Sequence, residues 1–386
     1  MSGFFTAPRI AWGPGAIEQL SGLGARRALV LVDPAVHARD GERRVIEELA
    51  KSDTTVELIA DRGIPDGIED VGRIADRIRA VGADWLVVLG GGRTIDAGKA
   101  ARFASERPDT DLAAVTPIWD LPEAPRCRLA AIPTTGGSGA EATSVADLRT
   151  ADGSPLEIAH RALLPDWALV DPAFARELGP EAVVDGGVEV LGLAVEAYLS
   201  AWANPISDAL ALEAALTVLD RLAHAIRWSE DPDARAALQY AATGAGLAAG
   251  NAQRGLAHAL ARALERPTGL TYGRLLGIAL PWVLDYDQTG ARERLEVLAA
   301  RARAPDERGE LSLAARVRRL HDHVRLPSTV RAAGGNADRA EAELERIVVD
   351  CRRSPAILGN PRVPNDGDVR TLVAAILGTA PTPRPA

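Results

Sequence analysis

The sequence has little cysteine, and this scarcity limits the covalent and metal chemistry open to the chain. Among 386 residues only Cys127 and Cys351 carry thiols, and they lie far apart along the chain. A disulfide scaffold needs several cysteines, and a thiolate metal site needs them at short spacings. We therefore expect two inert thiols, with neither a disulfide framework nor a cysteine-held metal.

The sequence also lacks long apolar runs. No stretch approaches the ~20 uninterrupted apolar residues of a membrane-spanning helix. The N-terminal segment MSGFFTAPRI has neither the basic start nor the apolar centre of a signal peptide. We expect a cytoplasmic protein that makes no membrane contact.

Positive charge is the third shortage. The chain has 44 Lys and Arg residues against 53 Asp and Glu, for a net charge of -9. Nucleic-acid binders usually present a basic face to the phosphate backbone. The composition therefore disfavours nucleic acid as a partner and favours a small-molecule or peptide substrate.

The residues that are present predict a two-domain globular protein. Hydrophobic residues make up 47% of the chain, and its length exceeds the roughly 100 to 200 residues of one domain. In the first half, short apolar runs alternate with helical patterns such as residues 69–83, which predicts parallel strands joined by helices; the runs are RALVLVD, WLVVLG and RLAAIP, with ALVDP after them.

Alanine- and leucine-rich segments with a helical period, such as residues 207–226, replace these runs in the second half. We predict an α/β nucleotide-binding domain over residues 1–172 and an all-α substrate domain over residues 173–386. The boundary is expected near Asp171 and Pro172.

Three glycines, Gly90, Gly91 and Gly92, follow the run WLVVLG and precede a helical pattern. Without side chains the backbone can approach a pyrophosphate, and the amide groups at a helix start attract the anion. A phosphate cradle and an ordinary tight turn both fit these three residues taken alone.

A second glycine-rich segment, AAIPTTGGSGAEAT, makes the pattern specific. GGG-x-x-x-D-x-x-K followed by IPTT-x-G-S-G-x-E-x-T resembles the iron-containing alcohol dehydrogenase family, relatives of glycerol dehydrogenase and dehydroquinate synthase. Further segments in family order extend the resemblance over nearly the whole chain, among them VEAYLSAWANPISDALALEA, YGRLLGIALPWVLDYD and NPRVPNDGDV. The resemblance implies a dehydroquinate synthase-like fold that binds NAD(P) in a cleft between an α/β domain and a helical domain.

The resemblance also implies roles for individual cofactor-site residues. Gly90 to Gly92 would meet the pyrophosphate, and Asp96 would lie near the nicotinamide. Four further residues match cofactor-site positions of the family: Lys99, Thr134, Thr135 and Ser138. Arg93 departs from the family, which usually has a small serine there, so either crowding or an extra phosphate contact is expected.

Asp33 ends the first strong strand of the sequence. A carboxylate at this place can accept hydrogen bonds from a ribose hydroxyl and would repel a 2′-phosphate, which favours NAD over NADP. The alternative is a turn residue that ends the strand, since Pro34 follows.

The family's metal site is largely missing. Its one Asp and three His ligands correspond here to Glu189, Leu193, His258 and Tyr272, so only one histidine remains. A catalytic divalent ion typically needs three ligands from His, carboxylate or Cys, and Leu193 cannot ligate. The sequence predicts no firmly held metal, although Glu189 and His258 leave a weak two-ligand site open.

Arg262 corresponds to a further family histidine and shares a helix face with His258. A guanidinium there could stabilise an alkoxide or grip a carboxylate, or it could be an exposed surface residue. We predict His258 as the general base, Arg262 as the charge donor and Tyr272 as an alternative proton donor.

These residues favour an NAD-dependent oxidoreductase that interconverts a secondary alcohol and a ketone without a metal. A β-hydroxy acid is one suitable substrate, and the chain is similar to the dehydrogenase-like components of daptide-type ribosomal peptide pathways, which act by oxidative decarboxylation in natural-product biosynthesis. The alternatives are a maleylacetate reductase-like enzyme and a catalytically silent, cofactor-binding scaffold. We expect a homodimer or a complex with a partner biosynthetic enzyme.

Overall fold

The computed structural model describes residues 4–38, 41–60, 63, 65–117, 125–176, 178–229, 231–302 and 311–379. The chain divides into two compact units, Met1–Leu178 and Gly179–Ala386. The boundary predicted near Pro172 lies slightly upstream of this division. The turn Pro172–Phe174 still belongs to the first unit, because the Cζ atom of Arg44 lies 5.1 Å from the centre of the Phe174 ring.

The described strands of the first unit are β1 Arg9–Trp12, β2 Arg27–Val32, β3 Thr55–Ala60, β4 Trp85–Gly90, β5 Arg128–Pro133, β6 Val145–Arg149, β7 Pro155–Ala159 and β8 Trp167–Val170. Six of them form a parallel sheet in the order β1-β8-β5-β4-β2-β3. The other two, β6 and β7, pair as a separate antiparallel hairpin. The helices of this unit are α1 Pro34–His37, α2 Glu42–Ala50, α3 Ile68–Val81 and α4 Gly92–Glu106.

The apolar runs of the sequence form the centre of this sheet, as predicted. Every residue of β4 is buried, which a parallel strand covered by helices on both faces requires. The helix predicted over residues 69–83 is α3, which ends where Gly82 adopts a left-handed conformation with φ 65°. The predicted α/β architecture is confirmed.

The described part of the second unit is helical, as its periodicity predicted. Its helices are α5 Pro180–Leu199, α6 Pro205–Arg227, α7 Pro232–Ala252, α8 Leu256–Thr268, α9 Tyr272–Arg301, α10 Leu313–Val324, α11 Ala337–Ala342, α12 Leu344–Arg353 and α13 Asp366–Leu377. The segment predicted over residues 207–226 lies within α6, which Asn204 begins with a capping box. Among the described helices, none is both long and apolar enough to cross a membrane.

Candidate active site

The first unit brings several predicted cofactor residues to one edge of its sheet. After β3 the chain crosses over β2, so β3 and β4 flank β2 on opposite sides. Open parallel sheets bind ligands at the carboxyl ends of strands where the order reverses in this way. Asp33 follows β2 at this edge, and its amide donates to the carbonyl of Leu89 in β4 at 2.9 Å.

The three glycines differ in what they do. A Cβ at Gly90 would lie 2.8 Å from the Cβ of Thr94, so α4 packs directly on the strand end. A Cβ at Gly92 would overlap the side chain of Ser138, whereas one at Gly91 would lie in ordinary contact, 3.4 Å from Thr135. Packing therefore requires the first and third glycines, and the turn alternative describes part of their role.

Helix α4 begins without a side-chain cap. Gly91 is its N-cap residue and makes no side-chain hydrogen bond. The first amides of any helix lack acceptors inside the helix, so the start of α4 offers donors and a positive dipole end to an anion. These residues fit the pyrophosphate of a dinucleotide.

The loop after β5 lies against this helix start. The Thr134 amide donates to the Gly90 carbonyl at 3.0 Å, and Ser138 Oγ accepts from the Ala140 amide at 3.3 Å. The side chains of Thr135, which faces Gly91, and of Ser138, which faces Gly92, place hydroxyl groups beside the glycine turn. Their predicted contact with a cofactor stays a prediction.

Asp33 is engaged within the protein. Its Oδ1 atom accepts from the Ala35 amide at 2.8 Å and caps α1, and its Oδ2 atom accepts from the Thr94 hydroxyl at 3.1 Å. The side chain therefore does end the strand in a turn, as the alternative interpretation held. A carboxylate oxygen can accept a second hydrogen bond, so the ribose contact stays a prediction.

Lys99 does not fit the cofactor contact that the resemblance implied. The residue is fully buried, and its ammonium donates to Asp96 Oδ1 at 2.9 Å, Thr143 Oγ1 at 2.9 Å and the Val145 carbonyl at 2.6 Å. These three bonds use all three of its protons. Lys99 instead fastens α4 to β6.

Asp96 belongs to the same buried group. Its Oδ2 atom accepts from the Asp147 amide at 3.2 Å. Burial raises the pKa of Asp96 above its ordinary value, and the Lys99 charge partly offsets that rise. The carboxylate thus holds the hairpin to α4, and its predicted place near a nicotinamide stays a prediction. Arg93, the family departure, donates to Asp66 Oδ2 at 3.3 Å.

In the second unit, His258 and Tyr272 form a hydrogen-bonded pair. The His258 Nδ1 atom lies 2.7 Å from the Tyr272 hydroxyl oxygen, and the two ring centres are 5.4 Å apart at an angle of 70°. His258 lies in the first turn of α8 and is almost fully buried, and Tyr272 is the first residue of α9. Two residues fourteen positions apart in sequence are thereby joined by one hydrogen bond.

Arg262 shares α8 with His258, as predicted, but it is neither an unpaired cation nor a surface residue. Its Nη1 atom donates to Glu265 Oε2 at 3.1 Å, and both side chains are buried. Its Cζ atom lies 6.0 Å from the centre of the Tyr272 ring. The guanidinium therefore stands beside the His258–Tyr272 pair with its charge compensated by Glu265.

The four family metal positions do not fit a cation in this chain. Leu193 is a buried apolar side chain of α5, and the Tyr272 hydroxyl is bonded to His258. Glu189, one turn before Leu193, lies near the start of α9, because its Oε2 atom is 3.2 Å from where a Cβ on Gly273 would stand. One carboxylate and one imidazole fall short of three ligands.

Sequence reasoning missed a buried polar group behind His258. Glu196 Oε1 accepts from the amides of Ala257 at 2.6 Å and His258 at 3.2 Å. Burial raises the pKa of Glu196 to about 7, although those amides lower it. A lone carboxylate within the apolar helix segment VLGLAVEAYL was the available signal, since such a group must find buried partners.

Comparisons with known proteins agree with these two units. The sequence profile described as iron-containing alcohol dehydrogenase matches residues 7–172, and the profile of the C-terminal part of the same family matches residues 183–377. An NADPH-dependent butanol dehydrogenase from Clostridium saccharobutylicum is 27% identical over 381 residues, 96% of this chain and 97% of that protein.

An NAD-dependent methanol dehydrogenase from Bacillus methanolicus is 26% identical over 383 residues, 97% of this chain and 99% of that protein. Among solved structures, the iron-containing alcohol dehydrogenase from Thermococcus thioreducens superposes with a TM-score of 0.87 at 26% identity, over 98% of this chain and 100% of that one. The predicted fold and the resemblance are both confirmed. The chain belongs to the iron-containing alcohol dehydrogenase family and is an alcohol dehydrogenase-like oxidoreductase.

Proposed function

We propose that this protein is an NAD-dependent dehydrogenase that interconverts a secondary alcohol and a ketone, and that the His258–Tyr272 pair handles the proton that a metal-bound site would otherwise manage. The observation that carries the proposal is the 2.7 Å hydrogen bond between His258 Nδ1 and the Tyr272 hydroxyl. It occupies two positions that hold metal ligands in the family.

The proposed chemistry divides between the two units. A bound nicotinamide supplies the hydride chemistry, and the glycine turn at Gly90–Gly92 with the start of α4 would hold its pyrophosphate. In alcohol oxidation the substrate hydroxyl would give its proton to the Tyr272 oxygen while the phenolic proton moves to His258 Nδ1. Ketone reduction would run the same transfers in reverse.

The test compares variants of the pair with matched controls in the same unit. Tyr272→Phe removes the hydroxyl, and His258→Gln removes the imidazole ring. We expect each to lower turnover of a secondary alcohol by about 100-fold or more, the usual range for a general acid or base, with NADH binding unchanged. Tyr286→Phe and His224→Gln serve as controls, since Tyr286 bonds Asp368 and His224 bonds Asp231 instead.

A panel of butan-2-ol, butan-1-ol and 3-hydroxybutyrate, followed by NADH absorbance, supplies the substrates. Loss of activity in the control variants to the same degree would refute a specific role for the pair. The natural substrate, the peptide-tailoring role, a homodimer and a partner enzyme all stay predictions.

The cofactor preference rests on Asp33. One of the relatives above is named as NADPH-dependent and the other as NAD-dependent, so the family itself does not decide. We expect Asp33→Asn to raise affinity for NADPH relative to NADH, since it removes a charge that repels a 2′-phosphate and keeps an oxygen that can cap α1. Equal affinities for both cofactors in the unaltered protein would contradict this.

A catalytically silent scaffold is the competing function. Such a scaffold would bind NADH but would turn over none of the alcohols in the panel. NADH fluorescence titration followed by the turnover assay separates the two, because a chain that binds NADH without turnover would leave the scaffold as the better account.

A further inference from the structure

Helix α8, which carries His258, has no cap of its own. Its N-cap residue is Gly255, which makes no side-chain hydrogen bond. The neighbouring helices of this unit begin differently: Asn204 caps α6 and Asp231 caps α7 with their own side chains. A helix start without a local cap must satisfy its first amides elsewhere.

Residues distant in sequence supply the missing acceptors. Asn360 Oδ1 accepts from the Leu256 amide at 3.0 Å. Glu196 Oε1 accepts from the next two amides, those of Ala257 and His258. Three consecutive amides of the first turn are thus held by side chains of α5 and of the segment between α12 and α13.

Both capping side chains are themselves fixed. The Asn360 Nδ2 atom donates to Asp287 Oδ1 at 2.7 Å and to the Arg362 carbonyl at 2.9 Å. Glu196 is almost fully buried within α5. Because Asn360 and Glu196 belong to other parts of the unit, those parts set the position and orientation of the first turn of α8.

The short segment between α7 and α8 is tightly constrained. A Cβ at Gly255 would lie 2.9 Å from both Asn360 Oδ1 and Glu196 Oε1, so a side chain there would displace the two caps. Gln253, at the end of α7, has φ 74° and ψ 157°, a region almost confined to glycine. Such strained backbone persists where surrounding contacts over-determine it, and it clusters near functional groups.

We infer that Glu196 is the positioning residue that sets His258 against Tyr272 by capping the first turn of α8 from a neighbouring helix. This inference deepens the proposed function and rests on it, since His258 is the group being placed. Glu196 acts through the backbone of Ala257 and His258, so its loss should move the His258 imidazole while the dinucleotide-binding unit stays intact.

The position of the imidazole ring can be read without a substrate, from the histidine ring-nitrogen resonances of the full chain with NADH bound. Loss of one signal in His258→Gln assigns His258, and Tyr272→Phe gives the shift for a lost Nδ1 hydrogen bond. We expect Glu196→Ala to move the His258 signal toward the Tyr272→Phe position. Glu196→Gln, which keeps an acceptor oxygen, should restore most of the signal.

Asn204→Ala is the matched control, because it removes a helix cap in the same unit from α6. It should lower thermal stability without moving the His258 signal. If Glu196→Ala does not fold, Gly255→Ala replaces it, since the added Cβ pushes both acceptors away from α8 and should produce the same shift. A His258 signal that stays at its unaltered position in Glu196→Ala, or in Gly255→Ala where that variant replaces it, would overturn the inference. So would an equal shift in Asn204→Ala.

Activity separates this inference from the proposed function. With butan-2-ol and NAD⁺, Glu196→Ala should lower kcat by about 100-fold, the penalty that a displacement near 1 Å can cause, while NADH affinity stays within about twofold. If His258→Gln keeps full activity, the proposed function fails whatever Glu196 does. If His258→Gln is inactive but Glu196→Ala keeps its kcat, only the positioning role fails.

Discussion

At the scale of single residues, the buried Arg262–Glu265 pair stands beside the hydrogen-bonded His258 and Tyr272. The guanidinium lies 6.0 Å from the centre of the Tyr272 ring, close enough for its charge to act on a phenol that gains or loses a proton. In a buried setting such a fixed charge is worth more than in water. We therefore propose that the pair contributes to turnover, even though Glu265 compensates the charge of Arg262.

We expect Arg262→Ala to lower turnover by about 100- to 1000-fold, the range for removal of a placed donor near developing charge, with little change in NADH affinity. Arg266→Ala is the matched control on the same helix, since Arg266 pairs with Glu343 at 2.7 Å and is partly exposed. Steady-state kinetics on the active alcohol measure both. Equal turnover in the two variants would remove Arg262 from the catalytic account.

At the residue scale, the sequence predicted which residues are present but not which partners they contact. The glycines and threonines match a family motif, and His258 and Tyr272 stand at aligned ligand positions of the family, but the motif does not predict the hydrogen bond between them. Lys99 matched as well, yet two of its three acceptors come from β6 and the turn before it, more than forty positions along the chain. A motif fixes which residue is present, whereas its partner depends on packing between elements distant in sequence.

At the scale of elements, the strands and helices could be predicted more fully. Buried parallel strands read as continuous apolar runs and amphipathic helices as periodic ones, which located β2, β4, β5 and α3. The hairpin of β6 and β7 was not predicted from the sequence, because its strands are five residues each and place Asp147 opposite Glu157. Short strands with charged cross-strand pairs carry little apolar signal.

In the turn between β4 and α4, one glycine substitution should lower stability and another should weaken NADH binding. Gly92→Ala should destabilise the free protein by about 1–3 kcal/mol, as overpacking does, because its Cβ would overlap Ser138. Gly91→Ala should leave the melting temperature nearly unchanged, since its Cβ meets Thr135 at an ordinary 3.4 Å. It should weaken NADH binding at least about tenfold by standing where the pyrophosphate approaches. Calorimetry measures the change in stability, and NADH titration measures the change in binding. If both variants bind NADH as tightly as the unaltered protein, the phosphate-binding role of Gly90–Gly92 is contradicted.

At the scale of the whole molecule, buried titrating groups in the second unit make stability depend on pH in opposite directions. Burial lowers the pKa of His321 to about 4, and the nearby Arg318 charge lowers it further. Burial raises the pKa of Asp287 to about 7, with Glu196 adding to the rise and Asn360 opposing it. The histidine therefore favours folding at higher pH and the acid favours folding at lower pH.

The sign for each group follows from which state binds more protons. Between its folded and unfolded pKa values His321 is neutral in the folded chain and charged in the unfolded one, so stability falls as pH drops below about 6.5, by on the order of 3 kcal/mol. Asp287 keeps its proton when folded and loses it when unfolded, so stability falls as pH rises from about 4 to about 7.

Unfolding in urea at several pH values between about 5 and about 8 tests this balance. Relative to the unaltered chain, His321→Leu should gain stability as pH falls, and Asp287→Asn should gain stability as pH rises. His323→Leu is a matched control on α10, because His323 is exposed in the structure. Parallel pH profiles in all four proteins would show that neither buried group carries the linkage.

The metal content of the molecule is the last prediction. Leu193 and the hydrogen-bonded Tyr272 occupy two of the four family ligand positions, so we expect less than one iron or zinc ion per purified chain and no loss of activity on chelation. Replacing both, as Leu193→His with Tyr272→His, would supply histidines beside Glu189 and His258 and should raise ion content toward one per chain by elemental analysis. One tightly held ion in the unaltered protein, with activity lost on chelation, would refute metal independence and point to ligands outside these positions. Asp147 and Glu157, whose carboxylate oxygens lie within 4.8 Å of each other across the hairpin, would then be the first residues to replace.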